Sequence, residues 1–186
     1  MDDRATPSPF VRIAQGVEAA RPLDAVVRAV DPVAAAVVGD PARASVLQGR
    51  WLGHALHPLM TFLPVGTWSS ALLLDLVGGR DSRTAAQRLV GIGVLAALPT
   101  ALTGLAEYAD AQPRDRRTGV VHATANTLAL VSFTRSWRAR RAGDHARGVR
   151  LATVGAVFAG VGGFLGGHLT EARKVSSRHP AFAGSS

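Results

Sequence analysis

The chain has 186 residues, of which 47% are hydrophobic and only 18% are charged. Soluble globular domains usually carry about 25% charged residues, so this composition favours a protein embedded in lipid. The sequence has no cysteine, which excludes disulfides, zinc–thiolate sites, iron–sulfur clusters and thiol nucleophiles. The net charge of +8 fits an anionic membrane surface. The basic residues lie between apolar runs, without the reading helix or exposed aromatics of nucleic-acid-binding modules, so no nucleic-acid partner is expected.

The first 49 residues differ from the rest of the chain. Residues 1–9 are polar, and no apolar core of a secretory signal precedes a small-residue cleavage site. Two short stretches place apolar residues at helical spacing, with Pro22 and Pro32 as the expected breaks between helices. Their apolar residues are Phe10, Ile13 and Val17, followed by Leu23, Val26, Val27 and Val30. Residues 1–49 are therefore predicted to form an amphipathic helical tail that is peripheral to the membrane or packs on the mouth of a bundle, with a disordered tail as the alternative.

Four apolar runs follow, at about residues 58–77, 89–106, 118–134 and 151–170, close to the roughly 20 residues that cross a hydrocarbon core. A soluble bundle would show a polar stripe on the outer face of each helix, whereas these runs contain only scattered polar residues. The sequence thus predicts an all-α fold, an integral membrane four-helix bundle over residues 50–178, multi-pass in the cell membrane, with a C-terminal tail at 179–186. Short connections make neighbouring helices antiparallel. Arginine and lysine are nearly balanced between the two sides, so the positive-inside rule assigns no orientation.

Aromatic and small residues suggest how the spans sit and pack. Trp51, Trp68, Tyr108 and Trp137 lie near predicted span ends and are interpreted as anchors at the membrane interface. The last span repeats small residues every four positions, which favours close helix packing, either within the chain or in a homo-oligomer. These residues are Gly155, Ala159, Gly163 and Gly167, with Ala152, Ala156 and Gly160 beside them.

Ionisable residues gather on one side of this predicted bundle. In four antiparallel spans, the first and third begin, and the second and fourth end, at the same membrane face. Ionisable groups near hydrocarbon are costly and usually face the bundle interior or a cavity. The residues expected at this face are His54, His57, Glu107, Asp110, His122 and His168.

Several chemistries use such a cluster. A haem b needs two facing imidazoles, for which His57, His122 and His168 are the candidates. A divalent transition metal could instead be bound by a larger set, with Asn126 and Asp110 supporting the ligands through hydrogen bonds. A proton relay or quinol site would use the same residue types. Without any site, His57 would only begin a helix before Pro58, and Asn126 would only bond a neighbouring helix. The larger metal-ligand set is His54, His57, His122, His168 and Glu107.

Four motifs in order resemble a known bacterial family. The stretches "GRWLGHALHPLMTFLPVGTWSSALLLDL", "LPTALTGLAEYAD", "RRTGVVHATANTLAL" and "GGFLGGHLT" are similar to the membrane family called domain of unknown function 2231, over residues 47–178. The resemblance implies a four-helix integral membrane domain, joined in some relatives to a Rieske iron–sulfur domain, and hence electron transfer with a redox partner protein. Relatives commonly read His-Pro-Leu-His-Pro where this chain has Ala55 in place of the first proline. Glu107 stands where relatives tend to carry Asp.

Two functional hypotheses of different classes follow. The chain is either a membrane redox or metal-binding component that uses the histidine cluster, or a non-catalytic scaffold that recruits a soluble partner through its tail. A pathway for protons or small solutes through the bundle is a third, weaker hypothesis. The sequence has no Gly-x-Ser-x-Gly elbow, phosphate loop or His-Glu-x-x-His helix, so it assigns no enzymatic activity.

Overall fold

In the computed structural model, which describes residues 6–175, every regular element is a helix. The all-α prediction is therefore confirmed, while the predicted tail at 179–186 lies outside the described residues. A 3₁₀ turn, Arg21–Leu23, joins the first two helices, and a second, Arg50–Leu52, precedes the fourth. The α-helices are α1 (Pro9–Ala19), α2 (Asp24–Val38), α3 (Pro41–Leu47), α4 (His57–Val77), α5 (Arg83–Ala109), α6 (Pro113–Arg141) and α7 (His145–Gly167), followed by a π-helical turn at His168–Ala172.

The long helices begin at residues that suit a helix start. Pro58 and Pro113 occupy the first turns of α4 and α6, where a missing N–H leaves no bond unmade. The carboxylate of Asp144 accepts a hydrogen bond from the Arg147 amide, which caps α7. The predicted third and fourth spans leave residues 135–150 between them, but most of these residues are helical, and only residues 142–144 separate α6 from α7. Arginines suit the last turn of α6 because cations are favourable at the negative end of the helix dipole.

Three of the long helices could cross a membrane by length and composition. They are α4, α5, and α7 together with its π-helical turn as far as Ala172. This finding supports a multi-pass membrane protein. The longest helix, α6 at 29 residues, is not among the three. Its central part includes threonine, asparagine, serine and histidine among the aliphatic residues.

The long helices pack as two hairpins, α4 with α5 and α6 with α7, which meet in a common core. Trp68 of α4 and Phe133 of α6 stack at the centre of this core, so the prediction that Trp68 anchors the chain at the interface is wrong. The indole is 7% exposed because it lies between α5 and the Phe133 ring. Large apolar side chains such as Phe62 and Leu76 point outward instead, as expected of helices surrounded by lipid.

The N-terminal helices pack on the long helices. Helix α2 contacts α5 and α6, and α1 contacts α6. Pro22 lies in the 3₁₀ turn between α1 and α2, but Pro32 lies inside α2 and does not end it. The expected break at Pro32 is therefore wrong, because packing on α5 and α6 keeps α2 helical despite the hydrogen bond that proline removes.

Candidate functional site

His57 and His122 lie in direct contact between the two hairpins. Their ring centroids are 6.1 Å apart, and the ring planes are nearly perpendicular at 85°. His57 is the first residue of α4, and His122 lies within α6. The structure thus brings together two of the three imidazoles that the sequence suggested for a cofactor.

Backbone contacts from α5 fix the His57 imidazole. Its Nδ1 lies 2.9 Å from the carbonyl oxygen of Thr100 and 3.3 Å from the hydroxyl of Thr103. A carbonyl oxygen can only accept, which assigns the proton to Nδ1 and leaves Nε2 as the unprotonated nitrogen. The ring rests against Gly104, where an added Cβ would lie 2.8 Å from Cε1. The glycine therefore provides the space that the imidazole occupies.

The His122 imidazole is held in the same way by α7. Its Nδ1 lies 2.8 Å from the carbonyl oxygen of Gly162. A Cβ at Gly166 would lie 3.0 Å from Cε1 of the ring. Asn126, one turn further along α6, contributes an amide nitrogen 3.2 Å from Nε2 and 3.0 Å from the carbonyl oxygen of His122. A histidine whose second nitrogen donates to a carbonyl is in the arrangement typical of metal ligands.

His168 is directed elsewhere, although it was expected beside the other two. Its Nε2 donates to the Glu18 carboxylate at 2.8 Å. Glu18 also lies 3.3 Å from Arg173, which in turn pairs with Asp115 at 2.8 Å. These four residues form the Glu18 cluster, which ties α1 to the ends of α6 and α7. Glu18 was not predicted from the sequence, because no local pattern indicates that it meets His168, which lies 150 residues later in the chain.

The other predicted ligands and supporting residues are His54, Asp110 and Glu107. His54 is exposed and lines an open groove of about 410 Å³ with Pro58 and Phe62. Asp110 accepts a hydrogen bond from Gln48 at 2.8 Å, and Glu107 is buried on α5. Within residues 6–175, no three His, Cys, Asp or Glu side chains are grouped so that they could hold a metal ion. The larger set of His54, His57, His122, His168 and Glu107 is thus not assembled, because His168 is bound to Glu18 and His54 faces the groove.

A buried ion pair lies at the opposite ends of α4 and α6. Arg140 donates two hydrogen bonds to the Asp75 carboxylate, one of them with Nη1 2.8 Å from Oδ1, and its Nε lies 3.2 Å from the Ser136 hydroxyl. The two charged side chains are only 1% and 4% exposed. His145 Nε2 approaches Asp75 at 3.5 Å. Arg140 lies between the predicted third and fourth spans, so the sequence did not assign it as a partner. A lone aspartate inside an apolar run is nevertheless a signal that a cationic partner is needed.

Ion pairs also attach α2 to α6. Arg117 donates to both carboxylate oxygens of Asp24, at 2.7 and 3.0 Å, and to the Glu18 carbonyl oxygen at 2.9 Å. These hydrogen bonds, with the nearby positive charge, hold the pKa of Asp24 below its ordinary value. Asp31 pairs with Arg116 at 3.1 Å. Ion pairs therefore help to fasten the N-terminal helices to the long helices.

Comparison with known proteins supports the resemblance seen in the motifs. A family described as "Predicted membrane protein (DUF2231)" matches residues 53–178. The matched range includes all four long helices and both contacting imidazoles, whereas α1, α2 and α3 precede it. No curated protein and no solved structure matches the chain.

Proposed function

This chain belongs to the DUF2231 family of predicted membrane proteins, and we propose that it is a redox or metal-binding component of the membrane in which His57 and His122 are the ligands. The bound group would be a transition-metal ion or the iron of a haem. The observation that carries the proposal is the contact between the two imidazoles, each with Nδ1 bonded to a backbone carbonyl of the adjacent helix.

The arrangement prepares both rings for ligation. Imidazole nitrogen is a good ligand for iron, copper, nickel and zinc. Because each ring is held by a helix carbonyl and by a glycine that accommodates it, little side-chain freedom is lost when a metal binds. A histidine with only a structural role needs one hydrogen bond of this kind. Two histidines that are held in the same way and contact each other favour a shared bound metal or cofactor.

The side-chain contacts between α4 and α6 fit a bundle in which four helices cross the membrane. His57 meets His122, Trp68 meets Phe133 and Asp75 meets Arg140, in the same order along both helices. Helix α6 therefore runs parallel to α4 over the length of three contacts. We propose that α6 is the third crossing, with its polar residues shielded by the other helices.

The N-terminal helices would lie at the membrane surface. Phe10 is 65% exposed and Ile13 is 56% exposed on α1, and such apolar side chains suit insertion among lipid headgroups. A redox role requires a partner protein, and this surface is one place for it to bind. The alternative role, a scaffold that recruits a soluble partner, would use the same surface without any cofactor.

Detergent-purified protein tests the proposal directly. We expect either a Soret band or a stoichiometric transition metal, lost in His57→Ala and in His122→Ala. His54→Ala is the matched control, since His54 is a near neighbour in sequence that lies outside the pair. Protein without haem or metal, in which removal of the histidines leaves partner recovery intact, would reject the cofactor role and support the scaffold.

A further inference from the structure

The two hairpins repeat one layout around the imidazole pair. His57 of α4 bonds the carbonyl of Thr100 in α5 and rests on Gly104, one turn later. His122 of α6 bonds the carbonyl of Gly162 in α7 and rests on Gly166, again one turn later. Each imidazole thus occupies the same place in its own hairpin.

The aromatic core repeats at matching intervals. Trp68 follows His57 at the same sequence interval as Phe133 follows His122. The indole packs on Gly93 of α5 and the phenyl ring on Gly155 of α7, and these glycines precede Gly104 and Gly166 by that same interval.

The ion pair completes the repeat. Asp75 and Arg140 also stand at equal intervals from the two histidines. At each of three levels, equivalent residues of the two hairpins touch each other: imidazole with imidazole, aromatic ring with aromatic ring, and carboxylate with guanidinium. The hairpins are therefore related by a pseudo-two-fold axis that runs along the helices, as in parallel repeats of membrane proteins.

Symmetry limits the ligand chemistry at the axis. The site offers two neutral imidazoles in equivalent positions, and the described residues place no third histidine or carboxylate in a group with them. Zinc usually takes four ligands, and hard divalent cations prefer oxygen. A divalent ion would also bring two uncompensated charges into a poorly solvated place, where an unpaired charge is costly.

A porphyrin between the rings would have to separate α4 from α6, which are joined by the Trp68–Phe133 stack.

We propose that His57 and His122 form a two-coordinate site for a monovalent soft metal ion, cuprous copper, on this pseudo-two-fold axis. The inference rests on the proposed function and narrows it from any metal or haem to one ion. Cuprous copper is stable between two nitrogen donors and carries a single charge. Asn126, whose amide contacts Nε2 of His122, would turn aside when the metal binds.

The test uses the full chain in detergent under anaerobic conditions. The protein is loaded separately with Cu(I) held reduced by ascorbate, with Zn(II), with Ni(II) and with haemin, and the retained metal is counted after gel filtration. We expect one copper per chain, two nitrogen ligands by X-ray absorption, and little zinc or nickel retained. His57→Ala and His122→Ala should each weaken copper binding against a competing chelator by about tenfold or more, as loss of well-placed groups at metal sites does.

Control variants and alternative outcomes distinguish the copper site from the broader metal or haem site of the proposed function. His54→Ala and His145→Ala should bind copper like the wild type. Copper bound with three or more protein ligands, or unaffected by loss of either His57 or His122, overturns the inference. Haem or a divalent metal held by the same two histidines also overturns it and leaves the proposed function standing. If no metal and no haem bind, both fail. The X-ray absorption spectrum is measured on the wild-type protein, so the test remains valid even if a variant misfolds.

Discussion

Trp68 and Phe133 stack almost parallel, with ring centroids 4.1 Å apart and planes inclined by 11°. The two rings come from different hairpins, so their contact joins α4–α5 to α6–α7. Both side chains are buried, and Gly93 and Gly155 leave the space behind them.

Truncation of this stack should destabilise the whole bundle. We expect Phe133→Ala to lower the free energy of unfolding by about 3–5 kcal/mol, because a buried aromatic side chain is removed and a cavity remains. Thermal or denaturant unfolding in detergent measures the change. Phe62→Ala, at a position 73% exposed on α4, is the control and should change stability little. If both variants lower the free energy of unfolding equally, the stack contributes no more to stability than an exposed side chain does.

A methyl group added at Gly104 should disturb the imidazole pair. The new Cβ would lie 2.8 Å from Cε1 of His57, so the ring must move away from its place beside Thr100. We expect Gly104→Ala to lose most of the bound metal or haem while the protein remains folded. Gly163→Ala is the control, since no atom lies within 4 Å of its added Cβ. Full cofactor occupancy in Gly104→Ala would show that the position of the ring is unimportant.

Removal of the Arg140 guanidinium should leave a carboxylate buried without its partner. We expect Arg140→Met to destabilise the protein by about 3–5 kcal/mol, as does the loss of one member of a buried ion pair. The double variant Arg140→Met with Asp75→Leu should recover most of this loss, because no charge is then left behind. Arg138→Met changes an exposed arginine of the same helix and serves as the control. A double variant as unstable as the single one contradicts this explanation.

Acid should release the N-terminal helices. Because the folded-state pKa of Asp24 lies below its ordinary value of 3.8, its contribution to stability is present above that value and is lost as the pH falls through the folded pKa. We expect the protection of α1 and α2 against hydrogen exchange, measured relative to the intrinsic exchange rate at each pH, to decrease at pH values below about 4. Asp24→Asn should show this reduced protection already at neutral pH and lose the dependence on pH. Asp81→Asn, an exposed loop position, should behave as the wild type.

The natural absence of cysteine makes the number of crossings easy to test. Single cysteines at Asp81, Gln112 and Ala142, all exposed positions between helices, can be labelled with a membrane-impermeant maleimide. If α6 is a crossing, Asp81→Cys and Ala142→Cys react from one side of the membrane and Gln112→Cys from the other. Labelling of Gln112→Cys and Ala142→Cys from the same side would show that α6 does not cross.

Structural features that depend on a single helix could be predicted from the sequence. Length and apolar composition located α4, α5 and α7, and the antiparallel alternation of the predicted spans placed His57 level with His122. Partners from distant segments were not predictable in this way. His168 is held by Glu18 of α1, and Asp75 is paired with Arg140, which lies between the predicted third and fourth spans. Trp68 has the composition of an interface anchor and is buried only because Phe133 covers it.

The Asp75–Arg140 pair has a geometric consequence for the other end of the bundle. If α6 slid along α4 by one helical turn, about 5.4 Å, the guanidinium would leave the carboxylate and both charges would be stranded among apolar side chains. Because a helix is stiff along its axis, the same slide would also draw His122 away from His57. The ion pair at one end thus sets the axial register that keeps the two imidazoles at the same height.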